Sequence, residues 1–368
     1  MIFNVDKDIL LKEMAISHET ISTKSTISIL SNVLIIAEND SLVIKATDLK
    51  ISFSTKIPVT VKQPGSVAVF CDRLLDILRS LPSGEIEFAL QENLVLLITP
   101  KSTRAHFELK CIQADKFPPQ QEVDKALFFE FSQKDFIEMI SKTIFAISDD
   151  ETRFFLNGVY FEKNDSKLNM VASDGRRLSF ISKDIKADID DINGIIIPPK
   201  ILNIVKKNTP GEGNLSLAVT DKNIFVKIDN RLYTSNLIDG KFPNYKKIIP
   251  EQNEHFFLVK KQILAESLKR VSVLVENKTR SVFFNITENL ISVSSEESDI
   301  GMAREELECE YSGPEYTLTF NYLYILEPLN VIDDEYIRMD FNDPKKAVIM
   351  KAKGEQDYMN IVMPLQSE

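Results

Sequence analysis

Three times along the chain, apolar residues return at helical spacing after a short strand-like lead-in. Ile9, Leu10 and Met14 mark the first helix; Phe136, Ile140, Ile144 and Ile147 the second; Leu264, Leu268, Val271 and Val275 the third. The lead-in residues Val5, Ser132 and Val259 are 127 residues apart each time, which identifies an internal repeat. A second helix follows in each copy, over 72–80, 199–208 and 321–332, with Leu75 and Leu202 again 127 apart. Between and after the helices, apolar and polar residues alternate in short runs such as Glu85–Leu90, Leu94–Thr99, Leu215–Val219 and Ile224–Ile228, bounded by Pro- and Gly-containing turns.

The middle copy carries the clearest hairpin. Leu168, Met170 and Ala172 lead into Ser173-Asp174-Gly175-Arg176-Arg177, and Leu178 and Phe180 lead out. Gly175 supplies the positive φ that such a turn needs, and the two arginines behind it are expected to be exposed. The first copy has Asp48-Leu49-Lys50 at the matching place, and the third has Val293-Ser294-Ser295 with no Asp-Gly turn. Each copy therefore reads as helix, strands, helix, strands over about 120 residues. The predicted fold class is α+β with antiparallel sheets, in three domains: 1–122, 123–252 and 253–368.

Composition fits this picture. The 368 residues allow two or three domains, and 43% of them are hydrophobic. No signal peptide is visible at Met1–Asp8, and no apolar run is long enough to span a membrane, so the expected location is cytoplasmic. Cys71, Cys111 and Cys309 are odd in number and far apart, as in a reduced protein with buried thiols. Phosphate-binding glycine loops, zinc-type His clusters and a nucleophile elbow are all missing, so neither a metal, a cofactor nor catalysis is predicted. The Asp149-Asp150-Glu151 cluster reads as a solvated loop at a helix end.

The net charge of −11 argues at first against contact with nucleic acid. Its distribution changes that. The six predicted helices sum to +4 and the rest of the chain to −15, as expected if the helical face meets phosphate. Lys200, Lys206, Lys207, Lys260, Lys261, Lys269 and Arg270 supply most of the basic charge. A second asymmetry sets the ends apart: residues 294–310 carry a net charge of −6, whereas the stretch Lys101–Lys110, read as one strand, carries +2. Such ends can associate head to tail, with Arg104 on the basic end, Glu296, Glu297 and Glu305 on the acidic end, and Phe107, Leu109, Val273 and Leu274 as an apolar centre.

With the repeats established, the chain resembles the bacterial sliding clamp, the β subunit of DNA polymerase III. The resemblance is carried by Leu30-Ser31-Asn32, Thr47-Asp48-Leu49, Arg153-Phe154-Phe155-Leu156-Asn157-Gly158, Ala172–Leu178, Asp239-Gly240-Lys241-Phe242-Pro243-Asn244-Tyr245 and Val362-Met363-Pro364-Leu365. It implies a head-to-tail homodimer closing a ring around duplex DNA, helices inside and sheets outside, tethering the replicative polymerase without chemistry of its own. Other implied partners are the clamp loader, further DNA polymerases and repair proteins, all through short linear peptides.

Carried over by position, the implied peptide pocket comprises Leu156, Ser173, Gly175, Arg176, Arg177, Leu178, Pro243, Lys247, Ile248, Asn321, Tyr324, Ile361, Val362, Met363, Pro364 and Leu365. Arg176 stands where His is common, Leu365 where Met is common and Gln366 in place of a usual Arg. Near the implied DNA path, Lys24 and Arg79 match basic family positions, and Arg73 joins them on the second helix. The competing reading is a repeat-built interaction scaffold that does not enclose DNA.

Overall fold

The computed structural model describes residues 1–21, 28–187, 189–250 and 253–366. Six α-helices occur among them: α1 (Lys7–Thr20), α2 (Cys71–Ser80), α3 (Gln133–Ser141), α4 (Pro199–Asn208), α5 (Lys261–Val271) and α6 (Tyr322–Leu329). Asp6 caps α1, its carboxylate accepting from the Asp8 and Ile9 amides at 2.9 and 3.1 Å.

Three helices end before the apolar periodicity does. After α3, Thr143 turns its hydroxyl onto the Met139 carbonyl at 2.7 Å and the chain passes into a 3-10 turn, Ile144–Ala146. Beyond α5 the chain tightens into another, Ser272–Leu274. In α6 the last turn contains Pro328, which has no N–H to offer the Tyr324 carbonyl, and the helix stops at Leu329 rather than Ile332.

All strand ladders among the described residues are antiparallel. One sheet runs Thr60–Gln63, Ile2–Asp6, Glu85–Leu90, Val95–Pro100, Phe107–Lys110. A second runs Phe129–Ser132, Asn214–Val219, Asn223–Ile228, Arg231–Asn236, Ile51–Pro58, Ser41–Thr47, Asn32–Glu38, Gly65–Phe70. The third has twelve strands: Ile192–Ile197, Val159–Asn164, Lys167–Ser173, Arg177–Asp184, Tyr358–Val362, Val348–Ala352, Tyr336–Phe341, His255–Lys260, Arg304–Glu310, Leu290–Ser295, Ser281–Thr287, Tyr316–Asn321.

Two of these sheets run through a repeat boundary. The central-repeat strand Arg231–Asn236 pairs with Ile51–Pro58 of the first repeat, Arg231 opposite Thr55. Likewise Arg177–Asp184 pairs with Tyr358–Val362 of the third, Arg177 opposite Val362. The compact units accordingly cut across the repeats: one is 1–134 with 200–237, the other 135–199 with 238–368. In the first, Arg231 grips Glu13 of α1 through Nε, 3.2 and 3.0 Å from the two carboxylate oxygens, both side chains being buried. Such a pair specifies how strand and helix meet more than it adds stability.

The basic stretch near residue 100 needs correction. Residues 101–106 form turns and irregular chain, and the strand begins only at Phe107.

Candidate partner-binding and interface sites

Within the second compact unit, the Ser173–Leu178 turn, the Phe242–Ile249 segment, the start of α6 and the last described residues come together. Leu156, Leu178 and Ile361 belong to one buried cluster with Val171, Ile196, Phe242, Tyr245 and Ile349. Val362 is buried as well. Above this floor, Ile248 is 42% and Met363 37% exposed. Apolar side chains with that gradient of burial can receive a Leu or Phe anchor from a short peptide.

Local chemistry dictates the hairpin. Gly175 sits at φ +88°, and a Cβ there would lie 2.8 Å from an Arg153 guanidinium nitrogen. Asp174 accepts from the amides of Arg176 and Arg177 at 2.8 and 3.0 Å, while Ser173 donates to the Arg177 carbonyl at 2.7 Å. The Met363 amide donates to the Arg176 carbonyl at 2.9 Å and the Leu365 amide to the Thr319 carbonyl at 2.7 Å, which straps the C-terminal segment between two strands. Asn321 caps α6 by accepting from the Leu323 amide at 3.1 Å. Pro243 and Lys247 are exposed, and Pro364 is buried.

The two arginines behind the turn differ, which corrects the expectation that both are exposed. Arg176 is exposed. Arg177 has a side chain only 11% exposed; its guanidinium bonds Asp174 at 3.1 Å, the Phe145 carbonyl at 2.7 Å and the Glu327 carboxylate of α6. Its central carbon lies over the Tyr324 ring, 4.6 Å from the ring centre. With these partners engaged, Arg177 ties the hairpin to α6 rather than offering a free cation.

Two strand edges with unpaired stretches, one in each unit, carry the predicted interface residues. Phe107–Lys110 is the outer strand of its sheet, with Phe107 and Leu109 half-buried on one face, while Arg104 is exposed in the preceding turn. Within Arg304–Glu310, residues 304–308 pair with 290–294 on one side, whereas on the other side only Cys309 and Glu310 are paired. Beside this edge, Val273 is 78% exposed and Leu274 half-buried, and Glu296 and Glu297 are exposed. Two apolar neighbours escaped sequence reasoning: Ile300 at 87% and Met302 at 51% exposure, flanking Gly301, which packs near Leu274. Isolated apolar residues inside an acidic run were the available signal.

The basic helix residues are engaged to different degrees. Lys200 donates to the Thr20 carbonyl at 2.9 Å and to Asp48 at 2.7 Å, and Lys207 reaches Glu19 at 2.6 Å. Arg73 and Arg79 flank Asp76 at 3.7 and 3.9 Å, Lys260 lies 4.0 Å from Glu335, and Lys261 donates to the Ile332 carbonyl at 2.8 Å. Arg270 forms a two-pronged pair with Glu305 at 3.0 and 2.7 Å, which holds the Glu305 carboxyl below its ordinary range. Lys206 and Lys269 are exposed and have no ion pair among the described residues. Lys24 lies outside the described residues.

No group of three or more His, Cys, Asp or Glu suited to a metal occurs among the described residues. Asp150 instead caps a 3-10 turn, accepting from the Thr152 hydroxyl at 2.6 Å and amide at 3.0 Å, contacts that pull its carboxyl down. Burial pushes the Cys71 thiol up to about 12 and those of Cys111 and Cys309 to about 11, so none is a ready nucleophile.

Comparison with known proteins covers nearly the whole chain. Residues 1–121 match the N-terminal domain of the DNA polymerase III beta subunit, 130–244 its central domain and 246–366 its C-terminal domain. The beta sliding clamp of Treponema pallidum is 39% identical over 369 residues, 99% of each chain, and that of Escherichia coli K12 is 28% identical over 100% of each. The crystal structure of the DNA polymerase III subunit beta from Pseudomonas aeruginosa superposes with a TM-score of 0.94 at 28% identity, covering 100% of both chains. The Bacillus subtilis DNA polymerase sliding clamp reaches 0.96 at 24% identity, a likeness of fold.

Proposed function

The chain belongs to the DNA polymerase III beta subunit family of sliding clamps, and from that premise we propose how its surfaces serve DNA replication. A sliding clamp is a processivity factor, not a catalyst. In this reading two copies associate head to tail, the open edge Phe107–Lys110 of one against Arg304–Glu308 of the other, and close a ring on duplex DNA. The acidic strand Arg304–Glu308 and the basic turn before Phe107, which holds Lys101 and Arg104, support that polarity, with Val273, Leu274, Ile300 and Met302 as its apolar centre. The domains fall at 1–122, 123–252 and 253–368.

Topological retention reconciles the acidic chain with DNA. A ring needs no strong grip; exposed lysines such as Lys206 and Lys269 make weak, sequence-blind phosphate contacts that exchange as the ring slides. The polymerase, the clamp loader and repair proteins dock short peptides at Leu178, Ile248 and Met363, and the protein works in the cytoplasm. No helix among the described residues is long and apolar enough to cross a membrane.

The graded apolar pocket around Leu178 and Ile248 carries the partner reading. Retention on DNA tests the ring: the protein loaded onto a circular duplex should stay, and should leave within one linearising cut. Equal loss from circular and linear DNA overturns the ring.

A further inference from the structure

The sheet face that floors the peptide pocket continues beyond it. Along the strand Arg177–Asp184, Leu178, Phe180 and Ser182 alternate onto one face, opposite Ser173, Val171 and Asn169 of the neighbouring strand. Leu178 belongs to the pocket. Phe180 and Ser182 line a separate, open cleft of about 340 Å³ together with Tyr245, Lys246, Ile249, Lys167 and Asp357. The 243–249 segment thus contributes Pro243, Lys247 and Ile248 to the pocket, and Tyr245, Lys246 and Ile249 to the cleft.

Three features suit the cleft to a particular guest. Its apolar wall is aromatic: the Phe180 and Tyr245 rings stack 5.8 Å apart, 29° from parallel, with Ile249 packed against the same cluster. Its floor holds Ser182, 4% exposed, whose Oγ is buried and has no hydrogen-bond partner among the described residues. Its rim holds a cation that is only loosely committed. The Lys246 side chain is 60% exposed and lies 3.4 Å from Glu162, a carboxylate that already accepts from Tyr245, Tyr160 and Asn169 at 2.6, 3.1 and 3.3 Å. Lys167, by contrast, is closed off by Asp357 at 2.8 Å.

We propose that this cleft is a second anchor site for the docked partner peptide, taking a phenolic side chain followed by a carboxylate. The ring stacks against Phe180 and Ile249, its hydroxyl meets Ser182, and the adjoining carboxylate pairs with Lys246. Leu178 and Ser182 are four residues apart on one strand, about 13 Å at the rise of an extended chain, so about four or five extended peptide residues join the two anchors. The link to a docked peptide rests on the pocket reading above; occupancy of the cleft by this chemistry does not.

Isoleucine-methyl NMR on the full-length protein separates the two. N-acetyl-tyrosyl-glutamyl amide at millimolar concentration should shift the Ile249 methyl and leave Ile248 in place, and Lys246→Glu should abolish that shift. A Leu-Phe anchor pentapeptide should shift Ile248 instead, and its failure would count against the pocket alone. Joining the two sequences through a four-residue spacer should tighten binding about tenfold over the pentapeptide, a gain lost in Lys246→Glu. An unmoved Ile249 methyl, or one that moves equally in Lys246→Glu, overturns the cleft assignment. No gain from the joined peptide overturns its role as a second anchor.

Discussion

The Arg177 guanidinium carbon lies over the Tyr324 ring, 4.6 Å from its centre, joining the central-repeat hairpin to the first turn of α6. The same guanidinium bonds Asp174 and Glu327, so its loss would leave Glu327 without its cation and Asp174 with backbone donors alone. Arg177→Ala should destabilise this unit by about 3 kcal/mol, the usual result of removing one partner of a buried ion pair. Arg177→Lys should recover little, because an ammonium can neither stack on Tyr324 nor hold three acceptors in one plane. Thermal unfolding of both variants checks this; full recovery by Lys would refute the planar-clamp account.

Peptide docking calls for a variant that leaves the core intact. Leu178→Asp should abolish binding, but Leu178 is 3% exposed within the buried cluster, and a charge there threatens folding itself. Ile248, 42% exposed on the pocket rim, is the cleaner choice. Ile248→Asp should weaken binding of a polymerase-derived peptide at least about tenfold while leaving the melting temperature within about a degree. Deletion of Met363–Glu368 should do the same by removing the strap hydrogen-bonded to Arg176 and Thr319. Unchanged peptide affinity in titration calorimetry would remove the pocket assignment.

Much of this was legible in the chain, for identifiable reasons. A 127-residue spacing needs no structure to detect, and the helix positions followed from the spacing of residues such as Leu264 and Leu268. The Gly175 turn followed from its backbone demand, met at φ +88°. What escaped depended on partners distant in sequence. Turn statistics expose Arg177, yet Glu327, 150 residues away, draws it in. Lys207 reads as a free helix cation, yet Glu19 lies within hydrogen-bond reach from 188 residues away. Sheets that run through repeat boundaries, as at Arg231 opposite Thr55, have no signature in a repeat-by-repeat reading.

The proposed subunit interface predicts a change of mass. Val273 is 78% exposed in the single chain, so Val273→Asp should cost little in monomer stability, and Leu274→Asp somewhat more. Either should convert dimers to monomers, because the new carboxylate would be buried without a partner among the acidic side chains Glu296 and Glu297. Sedimentation velocity at micromolar concentration reads this directly. A dimer that survives both substitutions would exclude this surface as the contact.

Glu162 gives the second unit a defined acid sensitivity. Burial alone would raise its carboxyl, but the Tyr245 hydroxyl, the Lys246 charge, the Asn169 amide and the Tyr160 hydroxyl together outweigh it, and the group is held below its ordinary 4.5. Burial first, and then the bond to Glu162, raise the Tyr245 phenol, which therefore stays a proton donor throughout the neutral range. A carboxyl held lower in the folded than in the unfolded chain contributes stability that is complete above the unfolded value and lost as pH falls through the folded one. The wild-type protein should therefore lose stability progressively below about pH 4.5, while Glu162→Gln should be less stable at pH 7 and flatter across that window. Denaturant midpoints at pH 7 and at successive steps below pH 4.5 measure both slopes. Parallel curves for the two proteins would show that Glu162 titrates alike in the folded and unfolded chain, and that the donors around it do not favour its charge.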